Sequence, residues 1–428
     1  MAKAVGKTPF SHAWRALRHR NFKLYFAGQG TSLMGTWMTK LATGWLVYHL
    51  THSAWMLGVV GFASQIPAFV LTPFAGVWIE RVDRRKLLVW TQILAAIQSL
   101  GLAALTLAHI ITIREVIALS ALQGLINAFD IPGRQSFIVQ MVDDKADLGN
   151  AIAVNSSMVN GARLVGPAVA GMVIAATGEG WCFLIDGVSY LAVIASLLMM
   201  RIRPITIKPT ALSKLEQMRE GWDYVRTFRP IRSILILFAV VSLMGWPFTV
   251  LLPIFAGDVL HGGAHTLGWL TGASGLGALI SAFSLALRKS VVGLTRMIPI
   301  ASGIFGVALI CFGLSHVLWL SLVLLLFAGF GMMQAAAGAN TVIQTLVSED
   351  KRGRVMSYYT MAFVGSAPIG SLLAGALARA IGAPTTVMIT GACVVAGAVW
   401  FAFQLPRIHP IIRPIYEEMG LLPATEPV

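Results

Sequence analysis

The stretch Gly76-Val77-Trp78-Ile79-Glu80-Arg81-Val82-Asp83-Arg84-Arg85-Lys86 decides how the rest of the chain is read. It lies between two apolar runs, Met56 to Ile79 and Leu87 to Ile113. Each is longer than the roughly 20 residues that carry a helix across a bilayer. Six charges between two such runs make a tight loop at a membrane surface. Four of them are basic, which assigns that surface to the cytoplasm, where Lys and Arg accumulate.

The composition agrees. Of 428 residues, 57% are hydrophobic and 12% charged, about half the charge of a soluble domain, and the mean hydropathy is +0.76. A net charge of +14 would suit a nucleic-acid binder, but 28 of the 32 Lys and Arg fall on one side of the spans. Arg114 and Arg379 lie opposite, and Lys40 and Arg163 lie within spans. That asymmetry sets topology and attracts anionic lipid without requiring a polynucleotide. Cys182, Cys311 and Cys393 stand in or beside apolar runs and read as small hydrophobes, with no disulfide implied. The histidines show no metal-ligand spacing and no phosphate-cradling Gly-Lys loop is present, so neither metal nor cofactor is expected. Arg15, Arg18, Arg20 and Lys23 read as the cytoplasmic flank of a first helix, not as a cleaved leader.

Hydropathy predicts helices at Phe22–Leu50, Met56–Glu80, Leu87–His109, Glu115–Phe137, Asn150–Thr177 and Trp181–Met200. A second set follows at Ile234–Leu260, Thr266–Leu287, Met297–Ser315, Val317–Gly338, Gly353–Ala380 and Thr385–Leu405. The implied divisions are a basic cytoplasmic N-terminus (1–21), a six-helix bundle (22–200), a linker (201–233), a second bundle (234–405) and a cytoplasmic tail (406–428). The linker carries Leu215, Met218, Trp222 and Val225 at helical spacing among charges, the pattern of an amphipathic helix at the membrane interface. The tail, rich in proline and charge, is expected to be flexible. The halves look duplicated: Ser32-Leu33-Met34-Gly35 recurs as Ser242-Leu243-Met244-Gly245, and Leu57-Gly58 as Leu267-Gly268 at the same offset. Ile138-Val139-Gln140-Met141-Val142 also parallels Val342-Ile343-Gln344-Thr345-Leu346.

An ionisable side chain inside a span costs at least ~2.5–3.5 kcal/mol on insertion scales and is a functional candidate by default. Lys40 leads, with Trp37, Gly44 and Tyr48 on its face of the first helix. The fourth helix presents one polar stripe: Gln123, Asn127, Asp130 and Arg134. The fifth carries Asn160, Arg163, then Gly166-Pro167 and Gly171, where small residues permit close approach and the proline permits bending. Ser242, Trp246, Thr249 and Pro253 on the seventh helix, with Gln334, Gly338 and Thr341 on the tenth, would line the opposite wall. Asp186, just inside the outer end of the sixth helix, and Asp258, near the outer end of the seventh, are candidates to titrate but read first as structural or solvated.

The opening loop, Gly-x-x-x-acid-Arg-x-x-x-basic-basic, resembles the signature loop of the major facilitator superfamily, with Glu80 where Asp is usual and Asp83 where Gly is common. Gly166-Pro167 with Gly171 resembles the fifth-helix motif of its proton-coupled drug exporters, with Ala170 in place of a glycine. Phe22 to Gly28, Asp83 to Arg85, Ala128 to Pro132 and Gly353 to Ser357 are similar to the branch containing the enterobactin exporter. The resemblance implies an all-α integral membrane protein, twelve transmembrane helices in two pseudo-symmetric six-helix bundles. It implies a monomer in the plasma (inner) membrane with both termini cytoplasmic, and no enzyme activity. It also implies export of a siderophore or drug by alternating access and proton antiport. Trp37, Lys40, Tyr48, Asn127, Arg163, Trp246 and Gln334 would bind an anionic or aromatic substrate. Gly76, Glu80, Arg81, Arg85, Asp130, Arg134, Gly166 and Pro167 would form the gates, Arg81 pairing with Asp130 and Glu80 facing the start of the eleventh helix. A lipid or lysolipid flippase of the same fold, or a membrane enzyme or scaffold, are the alternatives.

Overall fold

A computed structural model describes residues 15–79, 82–202, 214–288 and 290–422. Among them the chain forms twelve long helices and one linker helix, as expected where apolar backbone must satisfy its own hydrogen bonds. They are α1 (Arg20–Thr51), α2 (Ala54–Ile79), α3 (Arg84–Leu107), α4 (Ile113–Met141), α5 (Leu148–Thr177) and α6 (Glu179–Met199). The linker helix is Lys214–Thr227. The second set is α7 (Arg229–Val259), α8 (Ala264–Ala286), α9 (Leu294–Leu314), α10 (Leu318–Leu346), α11 (Lys351–Ile381) and α12 (Ala383–Glu418). Eleven of these are apolar enough to cross a membrane. The twelfth, α1, has the length at 32 residues but carries Gln29, Ser32, Thr36, Thr39 and Lys40.

Contacts divide the chain into two compact units. In the first, α1 packs on α5 and α6, and α3 on α4 and α6. In the second, α7 packs on α11 and α12, and α9 on α10 and α12. Each pairing in one unit thus reappears six helices later in the other. The joints repeat too. A single glycine in a conformation barred to side chains, Gly178 at φ 89° and Gly382 at φ 85°, connects α5 to α6 and α11 to α12. His52 and His261, both left-handed, follow α1 and α7.

The units depart from the sequence divisions in two places. Residues 52–62, the start of α2, belong to the second unit, where Gly58 lies against Ser371 and Gly375 of α11. Residues 263–268, at the start of α8, belong to the first, where Gly268 lies against Pro167 and Gly171 of α5. Glycine faces glycine in both, and a Cβ at Gly58 or Gly171 would stand 3.0 or 3.1 Å from the other's Cα.

The tail is a correction. Instead of ending near 405, α12 continues to Glu418 through Pro406, Pro410 and Pro414. These prolines repeat every fourth residue, so their missing donors share one face. Ile408, Ile412 and Tyr416 repeat likewise on another face and are buried. The linker helix forms as expected: Val225 is buried, Gly221 abuts Arg354 and Tyr358, and Trp222 packs on Tyr358 with ring centroids 5.8 Å apart. Leu215 and Met218 side chains are outside the description.

Candidate functional site

In the first unit, two cations share one indole. Lys40 Nζ lies 5.0 Å from the Trp37 ring centroid, and Arg163 Cζ lies 5.8 Å from it. Each contact is worth about 0.5–2 kcal/mol, more as water is removed. Gly166 makes this possible, because a Cβ there would fall 2.6 Å from the Trp37 Cβ and push α5 off α1. Lys40 remains exposed, while Trp37 and Arg163 are half-buried. No carboxylate forms an ion pair with Lys40 among the described residues. Two guanidinium- and ammonium-type charges on an aromatic plate can hold an anionic, planar ligand by charge and stacking together.

The polar stripe of α4 is committed differently. Asp130 is 3% exposed. Its Oδ1 accepts from Thr91 Oγ1 at 2.9 Å and Gln92 Nε2 at 2.7 Å, and its Oδ2 pairs with Arg134 at 2.5 Å. Asn127 accepts from Gln123 at 3.1 Å, one turn back on the same helix. Arg81 and Glu80 lie outside the described residues, and with them the pairs expected of the gate. What is described of that loop is a set of helix caps. Asp83 accepts from the backbone N–H groups of Arg85 and Lys86 at 2.9 and 3.2 Å, capping α3 where a glycine would give no side-chain acceptor. Arg84 donates to the Ser136 carbonyl at 3.2 Å, and Arg85 to the Leu198 carbonyl in the last turn of α6 at 2.5 Å. Sequence reasoning passed over the Asp83 cap, although an Asp directly before a helical run is its ordinary signal. Gly76 lies within α2, four residues before the undescribed pair.

In the second unit, Gln334 is occupied rather than open. Its Oε1 accepts from Ser281 Oγ at 2.6 Å and Ser284 Oγ at 3.2 Å, and the residue is 7% exposed. α8 serines 50 and more positions away hold its acceptor. Tyr48 is buried, with its ring 5.2 Å from Trp45. Trp246 meets Phe363 edge-on at 5.7 Å, and Ser242 donates to the Phe363 carbonyl at 2.5 Å. Those contacts join two π-helical turns, Val241–Gly245 and Met361–Gly365; a third is Phe255–Val259. Each lies within three residues of a proline (Pro247, Pro368, Pro253), whose missing N–H breaks the α ladder.

A further cluster ties the start of the chain to α5. Arg15 pairs with Asp147, His19 approaches Asp147 at 3.1 Å and Asp143 at 3.4 Å, and Ala16 N donates to Asn150 at 2.9 Å. Hydrogen bonds from His19 and then Arg15 hold the Asp147 carboxyl below the usual carboxylate range. No sequence spacing signals this contact. Among the described residues no group of three His, Cys, Asp or Glu could hold a metal, and the three cysteines are free thiols.

Twelve long helices in two units of repeated pairing, with charge admitted at few interior points, define a membrane transporter of the major facilitator fold. The chain matches the family described as transmembrane secretion effector over residues 11–413 and belongs to it. It is similar to the staphyloferrin A transporter of Staphylococcus aureus, at 26% identity over 86% of this chain and 92% of that protein. It is also similar to the multidrug efflux pump Tap of Mycolicibacterium fortuitum, at 26% identity over 84% and 89%. Macrolide efflux protein A of Streptococcus pyogenes matches at 22% over 92% and 98%. Among solved structures, a bacterial homologue of the human lysosomal transporter Spinster shares the fold at TM-score 0.67 and 14% identity, covering 92% of this chain and 97% of that one. A POT family transporter crystallised with 5-aminolevulinic acid does so at TM-score 0.72 and 12% identity, covering 91% and 96%. The protein is a transporter and not an enzyme.

Proposed function

We propose that this protein exports a small anionic or aromatic amphiphile, of the siderophore or drug class, by alternating access driven by proton antiport. It would act as a monomer in the plasma (inner) membrane with both termini in the cytoplasm. The observation that carries the reading is the plate of α1 and α5, where Lys40 and Arg163 share the Trp37 ring. The likeness to a siderophore transporter and to efflux pumps supports the direction and the substrate class. Gly166 and Pro167 would serve the gate by setting how closely α5 approaches Trp37 and the start of α8. Asp130, Arg134 and Arg85 would hold the inner ends of α3, α4 and α6 together in one state.

Inside-out vesicles test this. Uptake of a catecholate siderophore, an anionic aromatic dye and a lysolipid is measured with and without a pH gradient. The expected result is gradient-dependent uptake of the first two. Gradient-independent movement of the lysolipid alone would replace the reading with a lipid flippase.

A further inference from the structure

We propose that Asp186 of α6 is the proton-binding carboxyl of the transport cycle; this rests on the antiport reading above. Asp186 is 2% exposed, in the second turn of α6, and packs against α1 and α3. A Cβ at Gly35 of α1 would stand 2.7 Å from its Oδ1 and 2.8 Å from its Cα. No basic side chain pairs with it among the described residues. The titratable groups that reach it are Cys182 and Tyr190, one turn away on either side on α6 itself. From α1 come Thr36 and Thr39, and from α3 Ser99, none of them ionisable. On α5 the Ala170 carbonyl faces Cys182, and the Asp130–Arg134 pair of α4 acts on Tyr190.

The surroundings of the carboxyl favour its protonated form. Ser99 Oγ lies 2.9 Å from the Phe183 carbonyl and 3.1 Å from Asp186 Oδ2, but a serine has one proton to donate. Thr36 gives its proton to the Ser32 carbonyl at 3.1 Å, and Ser189 gives its own to the Asp186 main-chain carbonyl at 2.7 Å. Oδ1 accepts no hydrogen bond. An ionised Asp186 would therefore be a buried anion with only hydroxyls of Ser99, Thr36 and Thr39 about it and no basic partner among the described residues, which is costly where water is absent. A protonated Asp186 can donate to Ser99 while Ser99 donates to the Phe183 carbonyl. The fold does not require an acid here. A shift of 204 residues takes Gly178 to Gly382 and Gly187 to Gly391, and it takes Asp186 to Thr390, equally buried on α12.

The link to the substrate plate is α1. Thr39 faces the carboxyl and the next residue is Lys40. A proton on Asp186 and an anion on Lys40 do not repel each other, so their exchange must run through the position of α1. Ionisation calls for water at Asp186, and water enters only when α1 separates from α6, carrying Trp37 and Lys40 with it. The proton adds to the carboxylate on the acid side of the membrane and leaves on the other, and no other bond changes.

The test uses the full chain. Purified protein is taken from alkaline to acid pH across the physiological range, and proton uptake is counted with an indicator dye. Wild type should take up one proton more per chain than Asp186→Asn; equal uptake overturns the proposal. Should the variant fail to fold, wild type is treated with dicyclohexylcarbodiimide, which modifies protonated carboxyls in apolar surroundings. A pH-dependent adduct on the Asp186 peptide supports the proposal, and absence of an adduct at every pH overturns it. In the vesicle assay, catecholate siderophore uptake by Asp186→Asn should proceed at the gradient-free rate. Gradient-driven uptake surviving in the variant overturns the role of Asp186 alone, whereas a wild type indifferent to the gradient overturns antiport as well.

Discussion

The two units share a helix-pairing plan but fill it with different chemistry. A shift of 204 residues places Gln334 where Asp130 stands, Gly338 where Arg134 stands, Ala367 where Arg163 stands and Thr390 where Asp186 stands. In the first pair of helices the shift is 210, and it sets Val250 against Lys40. Asp130 and Gln334 are both buried and both are hydrogen-bonded to a neighbouring helix, but Asp130 also pairs with Arg134 and Gln334 has no charged partner among the described residues. In the second unit the acidic and basic residues keep to the ends of the spans, and α10 has none. That unit instead holds the three π-helical turns and the packed rings of Phe238, Trp246, Tyr359 and Phe363. The same frame thus holds charge in one half and bends in the other. Burying a charge demands rigid partners, and a π turn gives up a regular ladder, so separating them spares each the other's demand.

The largest effect should come from the plate. Lys40→Ala should weaken binding of an anionic aromatic dye at least tenfold, about 1.4 kcal/mol, while a neutral dye changes little and Val250→Ala changes neither. Fluorescence titration in detergent measures it; equal losses for both dyes would mean that the charge of the first unit does not select. Next, Asp130→Asn leaves Arg134 without its anion and should destabilise by about 2 kcal/mol, against about 1 for Gln334→Leu, since bonds to charged groups are the stronger. Thermal unfolding gives the order, and a reversed order would break the comparison.

Much of this contrast was legible in the chain. Lys40, Arg163 and Asp130 stand out because charge within apolar runs is expensive, and Asp130 and Arg134 lie one helical turn apart. The binding partners of Gln334 were not legible, because Ser281 lies 53 residues away and hydroxyls are common in membrane helices. The tail was misread for a different reason. Three prolines count as helix breakers one by one, but their spacing gathers the lost bonds on a single face, away from Ile408, Ile412 and Tyr416. Prolines gave the better clue in the second unit, where each π turn has one beside it.

Those turns give a smaller effect. Pro247→Ala restores an N–H next to Val241–Gly245 and should convert the turn towards regular helix, slowing turnover about twofold to threefold with stability changed by less than ~1 kcal/mol. Pro132→Ala in α4, which has no π turn, should leave turnover unaltered; vesicle transport rates compare the two. The smallest effect lies at the Arg15–Asp147–His19 cluster. The Asp147 carboxyl is held below its ordinary range, so its contribution is present above the unfolded value near ~3.9 and is lost as pH falls through the folded value. Asp147→Asn should therefore lower the melting temperature at neutral pH and have little effect in strong acid, a difference that a pH series of melts resolves.

The single-residue joints carry a consequence for how the chain is made. With only Gly178 between them, α5 and α6 have no room to enter a bilayer one after the other, and Gly382 ties α11 to α12 in the same way. Each pair must pass from the ribosome into lipid as one folded-back hairpin. For α5 and α6 that hairpin contains both Arg163 and Asp186, so the apolar length of two helices is available to offset the insertion penalty of each charge. The hairpin of α11 and α12 has Ala367 and Thr390 at the corresponding points and meets no such penalty. Biogenesis of the first unit is thus the harder task, and a longer joint at Gly178 would show it as loss of inserted protein before any loss of transport.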